Sequence, residues 1–279
     1  MTAEPFRSQL AALEQRGRLR RLLPRAGRDF ASNDYLGLAG DPMIAQAVAD
    51  AVARGVPLGS GGSRLLRGNA PEHEGLEAKA ADFFRTQASL FLANGYVANL
   101  TLLSALPQRG DLIVADELVH ASVHDGIRMS KASAVFARHN DVQSFADLIA
   151  AFRAEGGKGR VWIAVETLYS MDGDMAPLAD LAKLAARHEA MLLLDEAHGT
   201  GVFGPSGRGL SAGLDGLHNV VTLHTCGKAM GAEGALICGP RILIDYLVNR
   251  ARPFIYSTAP SPLMAVAAAA ALDRIEAAD

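Results

Sequence analysis

Asp195 closes the apolar run Met191-Leu192-Leu193-Leu194, and Lys228 stands just beyond a second apolar run, Val220 to Leu223. An acid that keeps a pyridine nitrogen protonated and a lysine amine that holds an aldehyde are the two groups pyridoxal phosphate (PLP) needs to act as an electron sink. Taken singly, neither residue says this. A lysine after a strand is usually a solvated surface group, and an aspartate there is commonly a helix N-cap. Their surroundings favour the paired role: Asp195-Glu196-Ala197-His198-Gly199-Thr200-Gly201 follows one run and Thr225-Cys226-Gly227-Lys228-Ala229-Met230-Gly231 the other. Gly227 and Gly231 let backbone approach a bound group closely.

These residues need a scaffold that brings strand ends together. Short apolar runs at Ala88 to Leu92, Leu112 to Ala115, Val161 to Val165, Met191 to Leu194, Val220 to Leu223 and Ala235 to Cys238 alternate with helical patterns at Asn99 to Leu106, Ser144 to Arg153 and Leu178 to Glu189. Runs too apolar for one wet face predict an α/β fold with a mostly parallel sheet covered by helices. In such sheets ligands collect beyond the carboxyl ends of the strands, where Glu166, Asp195, His198 and Lys228 all fall. Ahead of the first run, Asp41-Pro42 with Gly55 brackets a helix over 43–53, and 71–84 reads as another. Asn94-Gly95-Tyr96 precedes a helix expected to begin near Ala98. Its backbone N–H groups are either a phosphate cradle or an ordinary strand-to-helix turn.

The 279-residue chain has 49% apolar and 20% charged residues, enough for a sizeable core. A net charge of −3 gives no broad electrostatic reason to expect nucleic acid as a partner. Cys226 and Cys238 are too few for a disulfide framework, so a reducing, cytoplasmic setting is expected. Cys226 reads as a small apolar filler, and no His/Cys spacing suggests a metal site. The N-terminus, with Arg16, Arg18, Arg20 and Arg21 among apolar residues, reads as an amphipathic helix. The alanine-rich stretch from Met264 to Leu272 is far short of the roughly 20 residues that cross a bilayer. Gly59-Ser60-Gly61-Gly62-Ser63 lacks the lysine and spacing of a P-loop and reads as a flexible turn.

Beyond the Asp195 and Lys228 segments, Ser32-Asn33-Asp34-Tyr35-Leu36-Gly37-Leu38, Gly59 to Ser63, His120-Ala121-Ser122, Ser170-Met171-Asp172-Gly173-Asp174 and Ile255-Tyr256-Ser257-Thr258 occur in order. With these motifs the chain, from near Arg20 to its last residue, resembles the α-oxoamine synthases, PLP enzymes of the aspartate-aminotransferase fold (fold type I). The resemblance implies that Lys228 binds PLP covalently, Asp195 faces its ring nitrogen, and His198 its phenolic oxygen. It further implies that His120 stacks on the ring and touches substrate. Gly95, Tyr96 and Thr225 are placed at the phosphate, with Asn94 where relatives usually carry serine. Ser170 and Glu166 are placed near the cofactor, although either also suits a turn-stabilising polar role. Thr258 is implied to reach the neighbour's phosphate across a homodimer, and Arg20 to bind substrate, with Arg21 adjacent.

The same resemblance implies the division 1–40 (N-terminal helix and arm), 41–252 (PLP-binding α/β domain) and 253–279 (start of a small C-terminal domain). The remainder of that last domain is expected to be absent, as in a fragment or a truncated reading frame. The implied reaction is decarboxylative condensation of an amino acid, L-alanine, with an acyl-CoA, pimeloyl-CoA or its carrier-protein equivalent, in the biotin pathway. Other members pair glycine with acetyl-CoA or succinyl-CoA, or serine with a long-chain acyl-CoA. An aminotransferase and a non-catalytic partner subunit are the alternatives.

Overall fold

The computed structural model describes residues 3–24 and 26–278. These form two units, before and after the Ser32/Asn33 junction. In the first, helix α1 (Glu4–Gln15) buries none of its side chains. Gly17, at φ 65°, ends it in the left-handed conformation, so the arginines expected on the helix follow it instead.

In the second unit, α2 (Pro42–Ala53) starts where Asp41 accepts the N–H groups of Met43 and Ile44, with Pro42 in the first turn. Helix α3 (Pro71–Phe83) leads into strand β1 (Ala88–Leu92), α4 (Gly95–Ala105), β2 (Leu112–Asp116), α5 (Ala121–Met129), β3 (Ser133–Ala137), α6 (Val142–Ala154) and β4 (Val161–Glu166). Helix α7 (Leu178–Arg187), β5 (Met191–Asp195), β6 (Val220–Thr225), β7 (Ala235–Gly239), α8 (Arg241–Arg250), α9 (Arg252–Ile255) and α10 (Pro262–Glu276) follow. Among the described residues the strands make one sheet in the order β1-β7-β6-β5-β4-β2-β3. Every strand runs in the same direction except β7, which is antiparallel to both neighbours.

Side chains alternate between two covered faces, as period-2 strands require. On β5, Leu193 packs with Leu102, Val123 and Trp162 beneath α4 and α5, whereas Leu192 and Leu194 pack with Phe145, Ile149 and Leu181 beneath α6 and α7. Helices α2, α3 and α10 cover β1 and β7 through Leu76, Phe84, Phe91 and Leu272. Strand β3 and helices α5, α8 and α9 escape the sequence reading. Strand β3 is a partly exposed edge strand. Helix α5 carries little apolar signal and is set by packing: a Cβ on its Gly126 would crowd Leu103 and the carbonyl of Asn99 on α4.

The glycine segment 59–63 is pinned rather than loose. Ser60 Oγ donates to the Pro260 carbonyl at 2.6 Å and Ser63 Oγ to that of Ile255 at 2.9 Å. Gly231, at φ 61°, lets the lysine loop lie on residues 38–39, because a Cβ there would overlap the Leu38 and Ala39 backbone. Gly231→Ala therefore combines left-handed strain with overpacking. It is expected to cost about 2–4 kcal/mol, measured as a shift in urea midpoint. Among the described residues no helix is long and apolar enough to cross a membrane.

Candidate active site

The carboxyl ends of β1, β2, β4, β5 and β6 lie along one edge of the sheet, and each is followed by a turn bearing a polar group. Because β4 and β5 pair in parallel with Glu166 opposite Asp195, the two carboxylates end their strands side by side. Lys228 projects from the turn between β6 and β7, closed by bonds from Cys226 N–H to the Gly234 carbonyl (2.9 Å) and Gly231 N–H to that of Lys228 (2.9 Å). Together Gly95, Tyr96, His120, Glu166, Asp195, His198, Thr225 and Lys228 enclose a cavity of about 150 Å³. A cavity of about that volume takes a single six-membered ring such as benzene.

Lys228 Nζ lies 2.6 Å from His198 Nε2, and His198 Nδ1 lies 2.6 Å from the Tyr35 hydroxyl. Burial, with the Lys228 charge adding to it, pushes His198 down to about 4, so the ring is neutral at pH 7. Burial also lowers the Lys228 pKa, while Asp195 and Glu166 oppose the shift. A desolvated lysine of this kind offers a larger neutral, nucleophilic fraction. Glu166 is raised to about 7, first by burial and then by the Asp195 charge, although backbone N–H groups of His120 and Ser170 favour its ionised form.

A carboxyl whose pKa rises on folding binds protons in the folded state that the unfolded chain has released. Stability then falls as pH increases from about 4.5 to 7. In the cofactor-free chain, Glu166→Gln should flatten that decline by about 3 kcal/mol, seen in denaturant titrations across the window.

Asp195 is held by residues the sequence reading did not select. Its Oδ1 accepts the Ala197 N–H at 2.9 Å, and its Oδ2 accepts Asn99 Nδ2 at 2.7 Å. The same Asn99 amide reaches Ser122 Oγ at 3.0 Å, and Ser122 Oγ lies 2.8 Å from His120 Nδ1. The acid and the histidine at the cavity's mouth are thus joined through two polar side chains on α4 and α5. A signal for Asn99 was present: a lone amide four residues after Gly95 in a mostly apolar helix shares its face with the helix start. That helix begins at Gly95, three positions before the expected Ala98, because the Asn94 side chain caps it by accepting the Val97 N–H at 2.9 Å. The earlier start puts the first N–H groups of α4 at Gly95 and Tyr96, beside Thr225.

Within the second unit Ser170, Thr258, His224 and Cys226 do not line this cavity. The Ser170 side chain is exposed, with only its N–H turned to Glu166. Thr258 is exposed and borders a separate crevice with Arg64 and Leu92. Arg20 belongs to the first unit and follows α1. His224 is fully buried between Thr200 and Thr222 hydroxyls at 2.8 Å and stacks on Phe84, and burial drives its pKa down to about 3. Cys226 is a buried core group, as expected, with its thiol pushed up to about 12 by desolvation. A larger cleft of about 680 Å³ between α7 and α8 is bordered by Met191, Leu217 and Ile242, at the opposite end of the strands.

An amine on one wall, a hydrogen-bonded carboxylate on another and helix N–H groups beside a threonine hydroxyl, around space for one ring, fit the donors and acceptors of PLP. The fold and this site agree with the family match. The chain belongs to the aminotransferase class I and II family, whose model matches residues 27–279.

Within that family it is similar to 8-amino-7-oxononanoate synthase of Anaeromyxobacter sp. (strain K), 44% identical in an alignment 281 positions long that covers 95% of this chain and 69% of the relative. Among solved structures, 8-amino-7-oxononanoate synthase from Francisella tularensis aligns with a TM-score of 0.73 and 30% identity, over 89% of this chain and 69% of that one. Serine palmitoyltransferase from S. paucimobilis, solved with PLP and myriocin bound, aligns with a TM-score of 0.89 and 26% identity, over 99% of this chain and 72% of that one. The α-oxoamine synthase resemblance drawn from the motifs agrees with these matches.

Proposed function

We propose that this chain is a PLP-dependent acyltransferase that condenses L-alanine with a pimeloyl thioester, on CoA or a carrier protein, to give 8-amino-7-oxononanoate for biotin synthesis. The observation that carries the reading is the convergence of Lys228, Asp195, His198 and His120 on one ring-sized cavity at the strand ends. The identity to relatives bearing that name supports the choice of member. In the reaction the thioester C–S bond breaks, a carbon–carbon bond forms at the α-carbon, and the amino acid's carboxylate leaves as carbon dioxide.

Bound PLP supplies an electron sink for the negative charge that develops at the α-carbon. On this reading Asp195 holds the proton on the ring nitrogen, and Gly95 and Tyr96 N–H groups with the Thr225 hydroxyl hold the phosphate. Lys228 Nζ removes and returns the α-carbon proton, a task suited to a lysine whose pKa is lowered by burial. His198, kept neutral beside Lys228, is assigned to the phenolic oxygen, and His120 to the open face of the ring.

Glu166, in the cavity wall, and Ser170 are assigned to the cofactor's surroundings, and Arg20 to substrate. We place the cofactor domain at 41–252 and a homodimer around it, with Thr258 reaching the partner's phosphate site. Exposed Tyr35, Leu65, Leu66 and Met171 on the second unit are apolar groups that such an interface would cover. The two buried free thiols suit a reducing cytoplasmic setting.

The test is a matrix of alanine, glycine and serine against pimeloyl, acetyl, succinyl and palmitoyl thioesters. Preference for alanine with the pimeloyl donor is expected. Exclusive turnover of glycine or serine would move the assignment to another member of the family.

A further inference from the structure

His139 lies outside the cavity, in the turn after β3, yet both of its ring nitrogens meet carboxylates. Nδ1 is 2.9 Å from Asp116 Oδ1, at the end of β2, and Nε2 is 2.7 Å from Asp174 Oδ2, in the loop after β4. A neutral imidazole has one N–H and would set a lone pair against one of these anions, so two carboxylate partners call for the imidazolium. Asn140 Nδ2 comes within 3.3 Å of Nε2, but its two N–H groups have acceptors in Asp174 Oδ2 at 2.7 Å and the Met175 carbonyl at 3.3 Å.

The two carboxylates belong to the two loops that meet again at the active site. Asp116 is fully buried and also takes the N–H of Leu118, at 2.9 Å, and of Asn140, at 2.8 Å, which shapes the segment leading to His120. Asp174 closes the Ser170 loop, where its carbonyl accepts the Tyr169 N–H at 2.9 Å. At their inner ends both loops turn a backbone N–H, that of His120 and that of Ser170, towards the Glu166 carboxyl, favouring its ionised form.

We infer that His139 is a positioning residue, a cationic brace that ties the His120 loop to the Ser170 loop and so sets how the two loops sit beside Glu166. The other groups facing it are Glu117, whose carboxylate accepts the His139 backbone N–H at 3.0 Å, and Tyr169, whose ring stands edge-on at 4.5 Å. Neighbouring Arg138 and Asp141 pair with each other. Burial works against the charge on His139, but the bonds to Asp116 and Asp174 outweigh it, and the pKa is raised. With the sign this gives, the brace is fully present below the ordinary histidine value of about 6.5 and is lost as pH rises through the elevated folded-state pKa. Its consequence for catalysis rests on the function proposed above. Its test does not.

In the full cofactor-free chain, histidine ring signals are followed by NMR against pH, with His139 identified by its loss in His139→Gln. The expected result is a pKa above that of a free histidine, lowered in Asp174→Asn, a partly exposed change that leaves the fold intact. Amide hydrogen exchange is then read in both loops. A charge-assisted bond corresponds to about tenfold, so either variant should speed exchange about tenfold at 117–120 and at 168–175 while β1 is unaffected. A His139 pKa at or below the ordinary value would overturn the brace, and so would faster exchange confined to one loop or absent from both.

Discussion

Lys228→Ala, purified and mixed with PLP, should lack the visible absorbance band that the parent chain develops, and its turnover should fall by at least about 10³-fold. The lysine fills two roles on the proposed reading, covalent anchor and proton carrier at the α-carbon, and positioned acid–base groups alone contribute about 10²–10⁴-fold. Stability should change little, because the Nζ contact is to His198 and the side chain supports no apolar cluster. Absorption spectra against PLP concentration, together with the thermal midpoint of the cofactor-free variant, separate loss of the amine from loss of the fold. A variant that retained both band and turnover would remove Lys228 from the chemistry.

The second large effect is expected at Asp195. Asp195→Asn keeps the shape of the side chain but removes the negative charge aimed at the ring nitrogen, so PLP should still bind while kcat drops by about 10²–10³-fold, the worth of one well-placed electrostatic group. The substitution also turns one of the two acceptors of Asp195 into a donor, against either Asn99 or the Ala197 N–H. One lost hydrogen bond of this kind should cost about 1–2 kcal/mol in denaturant titrations. Equal loss of kcat and kcat/KM would place the effect in the transition state, whereas a rise in KM alone would assign Asp195 to binding only.

Much of this arrangement is legible in the sequence because it is local. Strand β1 falls at Ala88–Leu92 as the apolar run indicates, α2 has the cap and proline that Asp41-Pro42 announces, and the polar groups after β4, β5 and β6 stand where parallel strands end. What the chain does not spell out locally is tertiary. Helix α5 is stabilised by its fit on α4 at Gly126, and β3 by pairing with β2 at the sheet's edge. Asn99 becomes part of the site only when α4 is laid beside β5, a contact between residues remote in sequence. His120, His124, His139 and His224 could not be ranked by residue type. The fold distinguishes them by burial and partners, with hydroxyls for His224, carboxylates for His139 and the cavity for His120.

The chemistry proposed for the cavity is decarboxylative condensation. The most direct measurement is product stoichiometry: incubate the PLP-loaded chain with carboxyl-labelled L-alanine and pimeloyl-CoA, and quantify free thiol, labelled carbon dioxide and 8-amino-7-oxononanoate together. The account predicts that the three appear in equal amounts and that none appears with Lys228→Ala. Pyruvate accumulating with pyridoxamine phosphate, and no thiol released, would contradict it and make the chain an aminotransferase.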